Sequence, residues 1–199
     1  MKTLKEIALS KGLGAALNYL DADIEKNLPK IVDWVDKFDV NGSIKNERDA
    51  VKAVALDPDN NWNKYMINLW KNTDRNVLKK FFENFLIYSN VIGNQRRREL
   101  MKEHDCNIPW AILMDPTSAC NLECIGCWAS KYGDKMNLDF DTLDRIIREG
   151  KEMGTFMYIF SGGEPLVRKK DIIRLCEKHD DCQFLAFTNG TLIDEEFAQ

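Results

Sequence analysis

The stretch Ala119–Trp128, ACNLECIGCW, carries three cysteines within eight residues. They are Cys120, Cys124 and Cys127. Three thiolates at this C-x3-C-x2-C spacing can converge on one metal centre from a single loop, but structural zinc sites of this type close with a fourth Cys or His. Neither histidine of the chain, His104 or His179, makes a Cys-x2-His or His-x3-His pairing. An electron-transfer ferredoxin uses four cysteines for each cluster. With only three, a 4Fe-4S cluster would leave one iron without a protein ligand, as a docking site for a small molecule.

The cysteine stretch follows the first of three short apolar runs that predict buried strands. The runs are Trp110–Met114, Phe156–Phe160 and Phe184–Phe187. Between them, apolar residues at helical spacing predict two helices, one from Leu143 to Met153 and one through Ile172 and Leu175. Asp139 or Asp141 is the expected N-cap of the first, and Gly154 its stop. The order β-α-β-α-β with short loops predicts a parallel sheet with right-handed crossovers.

The unusual residues all follow strand ends. The first strand leads into the cysteines, the second into Ser161–Pro165 (SGGEP), and the third into Thr188–Thr191 (TNGT). In parallel α/β architectures, ligands bind at the carboxyl ends of the strands. A binding site is therefore expected at this edge, although TNG alone is also compatible with a simple turn.

Residues 1–105 are predicted to be helical throughout. Apolar residues recur every three or four positions in three stripes, and we expect all three, aromatic residues included, to be core. The stripes are Ile24, Leu28, Ile31, Val35 and Phe38; Trp62, Tyr65, Met66, Leu69 and Trp70; and Val77, Leu78, Phe81, Phe82, Phe85 and Leu86. Pro29 implies a kink or weakens the first helix.

The composition is that of a soluble chain able to build a core, with 44% hydrophobic and 30% charged residues in 199. The net charge of −4 argues against sequence-independent nucleic-acid binding, and the short run Arg96–Arg98 is expected on a solvated helix face. No apolar run approaches the length of a membrane span, and no signal peptide is recognisable. The chain is expected to be cytoplasmic, where clustered cysteines indicate metal or redox chemistry rather than disulfides. Cys176 is expected in the core, and His179 at a solvent-facing helix end.

Three strands and two crossovers cannot close a barrel, and the last strand would keep a bare edge. We therefore expect the chain to be truncated, a fragment of a longer protein.

The motifs CNLECIGC (Cys120–Cys127), SGGEP (Ser161–Pro165) and TNGT (Thr188–Thr191), in this order and each after a predicted strand, resemble those of the radical S-adenosylmethionine (radical SAM) superfamily. The resemblance covers residues 110–199. It implies an α/β fold that is the N-terminal half of a partial (β/α)6 TIM-type barrel, preceded by an all-α domain. The expected domains are residues 1–105, helical, and residues 106–199, with the first three barrel strands.

The resemblance also implies a role for individual residues. Cys120, Cys124 and Cys127 correspond to the ligands of three irons, the fourth being chelated by the amino and carboxylate groups of S-adenosyl-L-methionine. The segment that would hold the methionine end consists of Gly162, Gly163, Glu164 and Pro165, with Glu164 accepting a hydrogen bond from the amino group. Thr188 and Asn189 would reach the cofactor from the next strand end. Family members often carry an aromatic residue before the third cysteine; here Gly126 stands there, and Trp128 either packs near the adenine instead or fills core.

The implied protein is an oxidoreductase-type enzyme that reductively cleaves S-adenosyl-L-methionine to a 5′-deoxyadenosyl radical, which abstracts hydrogen from an unknown substrate. The expected partners are that substrate and a low-potential electron donor of the flavodoxin or ferredoxin type, without nucleic acid or a membrane span. The alternative is a non-catalytic iron–sulfur or zinc-binding interaction module.

Overall fold

A computed structural model describes residues 3–36 and 45–198 of the chain. Its contacts divide the chain into two compact units, Met1–Phe82 and Glu83–Gln199. The sequence predicts a domain boundary at 105/106 instead. The difference arises because residues 83–104 pack against the sheet unit: the Asn84 side chain donates hydrogen bonds to the carbonyls of Asp180 and Cys182.

The first unit is helical, as the sequence predicts. Its helices are α1 (Leu4–Ala22), α2 (Ile24–Asp36), α3 (Lys45–Ala55), α4 (Asn61–Asn72) and α5 (Arg75–Phe82). Helix α2 continues through Pro29. Thr3 begins α1 with a capping box to Glu6, and the Asn60 side chain accepts from the Trp62 amide at the start of α4.

The core of this unit is smaller than the sequence predicts. Leu20, Ile24 and Trp70 are buried, and further apolar residues of α1, α2, α4 and α5 pack around them. Trp62 and Tyr65 are 66% and 52% exposed, so the expectation that the whole aromatic stripe of α4 is core is wrong. One helix face can bury only the residues that meet a neighbour, and the aromatic stripe is wider than that face. Phe38, the last residue of the first predicted stripe, lies outside the described residues.

The second unit contains the sheet. Its regular elements are a π-helix (Glu83–Ile92), α6 (Gly93–His104), β1 (Ala111–Met114), α7 (Phe140–Glu152), β2 (Met157–Phe160), α8 (Lys169–Lys178), β3 (Gln183–Ala186) and the short α9 (Glu195–Ala198), with 3-10 turns at Ala129–Tyr132 and Pro165–Arg168. Of the two predicted N-caps, Asp139 is the one that begins α7, and its side chain accepts a hydrogen bond from the Thr142 amide at 2.7 Å. Gly154, with φ of +88°, ends the turn after it.

The strands form a parallel sheet in the order β1-β2-β3, which confirms the predicted α/β class. Met114 pairs with Phe160, and Phe160 pairs with Ala186, so the three carboxyl ends lie level. The core lies on the helix-covered face of the sheet. There Tyr158 and Phe160 are buried with side chains of α7 and α8, whereas Leu113 on the opposite face is 56% exposed.

Two polar residues expected at the surface are buried instead. The Arg97 guanidinium, in the run predicted to be solvated, donates to the backbone carbonyls of Ser89 and Gly154. His179, predicted to face solvent, is 3% exposed, and its Nε2 lies 2.9 Å from Asp144 Oδ1. Both side chains satisfy buried acceptors that only the folded chain brings near them.

Among the described residues, none of the helices combines the length and the apolar character needed to cross a membrane.

Candidate functional site

The loop after β2 is hydrogen-bonded to the loop after β1 through its backbone. The Gly163 amide donates to Thr117 O at 3.0 Å, and the Glu164 amide donates to Ala119 O at 2.8 Å. A Cβ atom at Gly163 would lie 2.2 Å from Ala119 O, so a side chain there would displace the backbone. The glycine therefore sets the close approach between the SGGEP segment and the start of the cysteine stretch.

Glu164 connects the loop after β2 to the loop after β3. Its side chain is buried, at 1% exposure. Its Oε1 accepts from the Leu166 amide at 2.9 Å and from Thr188 Oγ1 at 2.7 Å, and its Oε2 accepts from the Asn189 amide at 2.8 Å. A carboxylate offers about four acceptor positions. These three bonds leave about one acceptor position unused.

Asn121, directly after the first cysteine, joins the cysteine stretch to the loop after β3. Its Nδ2 donates to Thr191 Oγ1 at 2.8 Å, and its Oδ1 accepts from Asn189 Nδ2 at 2.9 Å. Thr191 Oγ1 in turn donates to Asn189 Oδ1 at 2.7 Å. Sequence reasoning missed Asn121 as a site residue. The available signal was an amide next to a cysteine, with polar TNGT at a neighbouring strand end.

The base of the cysteine loop is also held along the chain. Thr117 forms an antiparallel bridge with Asn137, the Ser118 amide donates to Met136 O at 2.8 Å, and the Leu138 amide donates to Pro116 O at 3.1 Å. The two ends of the loop 119–135 are therefore held side by side by one short antiparallel ribbon.

The three cysteines share this loop without converging on a point. Cys120 and Cys124 are exposed and Cys127 is half-buried. The Cys127 amide donates to Cys124 O at 3.2 Å, closing a turn in which Gly126 has φ of +80°. Within residues 3–36 and 45–198, no three His, Cys, Asp or Glu side chains are arranged to hold a metal ion. The loop thus carries the thiols together, and their side chains would have to turn inward to share a ligand.

The remaining cysteines differ from these three in burial or position. Burial raises the pKa of Cys176 to about 11, with the charge of Glu177 adding to the effect. Burial and the nearby Asp181 raise the pKa of Cys182 further above the ordinary thiol value. A thiol that stays protonated is a poor metal ligand, and Cys106 lies in sequence and structure before β1, outside the cysteine loop.

A cavity of about 730 Å³ opens beside the cysteine loop and the start of the SGGEP segment. Its lining includes Leu113, Gly162, Gly163, Trp128 and Tyr132. The Trp128 ring is 62% exposed and makes an edge-to-face contact with Tyr132 at 5.8 Å between centroids. Trp128 is therefore a wall of an open cavity rather than a core residue, and its apolar face is available to a planar ligand.

The chain is similar to one family model and to several known proteins. The family model described as "Radical SAM superfamily" matches residues 114–199. An uncharacterized protein of Archaeoglobus fulgidus is 28% identical over 141 residues, which cover 66% of this chain and 31% of that protein. The Fe-coproporphyrin III synthase of Methanosarcina barkeri is 32% identical over 92 residues, 44% of this chain and 23% of that protein. The PqqA peptide cyclase of Granulibacter bethesdensis is 33% identical over 91 residues, 44% of this chain and 24% of that protein.

The chain spans less than a third of the length of these three relatives. No solved structure matches it significantly.

Proposed function

We propose that this chain belongs to the radical SAM superfamily, whose family model matches residues 114–199, and that these residues form the part of a radical SAM enzyme that holds a 4Fe-4S cluster and S-adenosyl-L-methionine. Membership of this superfamily implies both cofactors. The observation that carries the proposal is the hydrogen bonding of all three strand-end loops, those with CNLECIGC, SGGEP and TNGT, into one continuous edge of a parallel sheet.

The proposed cluster ligands are Cys120, Cys124 and Cys127. Thiolates are the ligands that iron–sulfur clusters take from proteins, and these three are the cysteines of the loop beside the cavity. Their exposure fits a group that must be inserted after folding. Three ligands leave one iron for the amino and carboxylate groups of the cofactor.

Gly162, Gly163, Glu164 and Pro165 are proposed to line the methionine end of the cofactor. The glycines bring backbone to the cavity wall, since Gly162 has φ of +103° and both are among its lining residues. Glu164 keeps about one acceptor position on Oε2, which suits a single bond from an amino group. Thr188 and Asn189 are proposed to contribute from the next loop, and Trp128 to pack against the adenine.

When bound, the cluster and cofactor would supply reductive cleavage of S-adenosyl-L-methionine and abstraction of a hydrogen atom from a substrate. The chain's own residues would ligate the cluster, orient the sulfonium end against the glycine backbone, and shield the reacting atoms with Trp128. The three strands would be the first of a partial (β/α)6 barrel completed by a longer chain. A low-potential flavodoxin or ferredoxin is the proposed electron donor.

The names of the relatives bear on how far the proposal extends. One is called a coproporphyrin synthase and another a peptide cyclase, yet both match about the same length of this chain. A match of this length to relatives named for such different products favours a common step rather than the choice of substrate. We therefore propose the reaction type for residues 114–199 and assign the substrate to the rest of the enzyme.

Anaerobic purification with iron and sulfide analysis, followed by a 5′-deoxyadenosine assay with dithionite and S-adenosyl-L-methionine, tests the proposal. We expect about four irons and four sulfides per chain, and their loss in Cys124→Ala but not in Cys106→Ala. Zinc in place of iron, or a full cluster in Cys124→Ala, would overturn it. A cluster without cofactor cleavage would favour a non-catalytic metal-binding module.

A further inference from the structure

We propose that Asn121 is a positioning residue for Cys120: a closed ring of side-chain hydrogen bonds with Asn189 and Thr191 holds the first cluster ligand in place before any metal binds. This inference rests on the proposed cluster site and adds to it a residue that is neither a cluster ligand nor part of the SGGEP segment.

The ring is closed because each of its three side chains both donates and accepts. The Asn121 amide donates to Thr191, Thr191 donates to Asn189, and Asn189 donates back to Asn121, all between 2.7 and 2.9 Å. Asn189 Oδ1 accepts in addition from the Thr191 amide at 2.9 Å. Only one orientation of each amide group satisfies this pattern. The three side chains are solvent-exposed, so the ring acts by fixing the geometry of the loop rather than by a large net hydrogen-bond energy.

The partners of Asn121 are themselves anchored to the buried part of the unit. The Asn189 amide and the Thr188 hydroxyl are held by the buried carboxylate of Glu164. Thr188 Oγ1 also accepts from the Gly190 amide at 3.0 Å. The ring therefore attaches the exposed cysteine stretch to a loop whose own position is set by a buried group.

Cys120 is consequently held through both of its chain neighbours. On one side, Ala119 O accepts from the Glu164 amide and the Ala119 amide donates to Thr117 Oγ1 at 3.0 Å. On the other side, Asn121 is held by the ring. Two anchored neighbours leave the Cys120 backbone little freedom, so the backbone of this ligand is ordered before metal binding and only its side chain has to turn toward the metal.

This arrangement predicts that the proposed ligands differ in how far they are ordered before the cluster binds. Cys120 would be the preorganised ligand, whereas Cys124, in the exposed turn closed at Gly126, would take its final position as the cluster enters. Loss of the ring would then weaken cluster retention, because the ordering of Cys120 would have to occur during binding. Residues that orient metal ligands from outside typically change metal affinity by about 10- to 100-fold when removed.

The test uses the full chain reconstituted anaerobically with ferrous iron and sulfide. Asn121→Ala removes both hydrogen bonds between the cysteine stretch and the loop after β3. Thr191→Val removes one of them with nearly the same shape and leaves the bond from Asn189 Nδ2 to Asn121 Oδ1. Thr191→Ser keeps the hydroxyl and is the conservative control, and Glu123→Ala is a control for substitution within the cysteine stretch. The readouts are the rate at which a ferrous chelator bleaches the visible absorption of the cluster, the electron paramagnetic resonance spectrum after dithionite reduction, and the unfolding midpoint of the iron-free protein.

We expect Asn121→Ala to speed cluster loss about tenfold with an altered resonance spectrum, and Thr191→Val, which keeps one hydrogen bond to Asn121, to speed it by less. The double variant should match Asn121→Ala. Thr191→Ser and Glu123→Ala should behave like wild type. The inference is overturned if Asn121→Ala retains the cluster as wild type does, or if the variants lower the unfolding midpoint while cluster loss is unchanged. A wild-type chain that takes up no iron and sulfide refutes the proposed function itself, which separates that failure from this one.

Discussion

Replacing Glu164 by glutamine tests whether its carboxylate holds the strand-end loops together. The change keeps the shape of the side chain, but one oxygen becomes an NH2 group. If the remaining oxygen takes the place of Oε1, it can still accept from Leu166 and Thr188, while the Asn189 amide faces a donor instead of an acceptor.

The cost can be worked from these contacts. A buried donor left without a partner costs about 1–3 kcal/mol, and the two surviving hydrogen bonds lose the benefit of the ionised acceptor. We expect Glu164→Gln to lower the free energy of unfolding by about 2–3 kcal/mol, or the thermal midpoint by roughly 10 °C for a unit of this size. Glu164→Ala, which removes all three acceptor contacts, should cost more, about 4 kcal/mol or above.

The assay is thermal and urea unfolding of the iron-free protein, with hydrogen exchange at the Asn189 and Leu166 amides. Glu123→Gln is the matched control, since Glu123 is exposed in the same unit, and it should stay within about 0.5 kcal/mol of wild type. An unfolding midpoint of Glu164→Gln equal to that of the control, with unchanged exchange at Asn189, would refute the reasoning. Glu164 would then be free to serve a ligand alone.

Gly163→Ala should destabilise the iron-free protein by several kcal/mol and abolish cluster uptake, because its Cβ would lie 2.2 Å from Ala119 O. Gly12→Ala is the control, since a Cβ at this position in α1 meets nothing within 4 Å. It should raise the free energy of unfolding in urea by about 0.5–1 kcal/mol. Burial disfavours the ionised form of Asp144, but hydrogen bonds from Lys178, His179 and Arg148 outweigh it and lower its pKa from 3.8 to about 2. The folded state thus keeps Asp144 ionised where the unfolded chain would protonate it, so its contribution of about 2 kcal/mol is present above pH 4 and is lost as the pH falls toward 2. The urea unfolding midpoint should therefore change less between pH 7 and pH 3 in Asp144→Asn than in wild type. An equal change in the two proteins would contradict this.

The parts of the fold that local patterns encode were predictable. The three apolar runs predict the three strands within one or two residues of their ends, and the helical spacing between them predicts α7 and α8. Parallel pairing followed from the short β-α-β connections. The grouping of the cysteine, SGGEP and TNGT loops followed as well, because carboxyl ends of neighbouring parallel strands meet at one edge.

The partners of polar side chains were not predictable, since they depend on residues far apart in the chain. Nothing near Arg97 or His179 indicates that the first would be buried against Gly154 O and the second against Asp144. Trp62 and Trp70 are the same residue type on the same helix, yet Trp62 is exposed and Trp70 is buried. The spacing of residues predicts the direction in which a side chain points, whereas its burial depends on which other element of the fold packs against it.

The sequence by itself determined the three-cysteine loop that we propose ligates a cluster, and the edge of the sheet that carries it, since three cysteines in one loop and glycine-rich strand ends are local properties. Only the tertiary structure decided how that edge is held. It assigned Glu164 to three protein donors, and it closed Asn121 into a ring with Asn189 and Thr191, about seventy residues away. A hydrogen bond between distant segments leaves no period or spacing in the chain, because its geometry exists only once the sheet has aligned the loops.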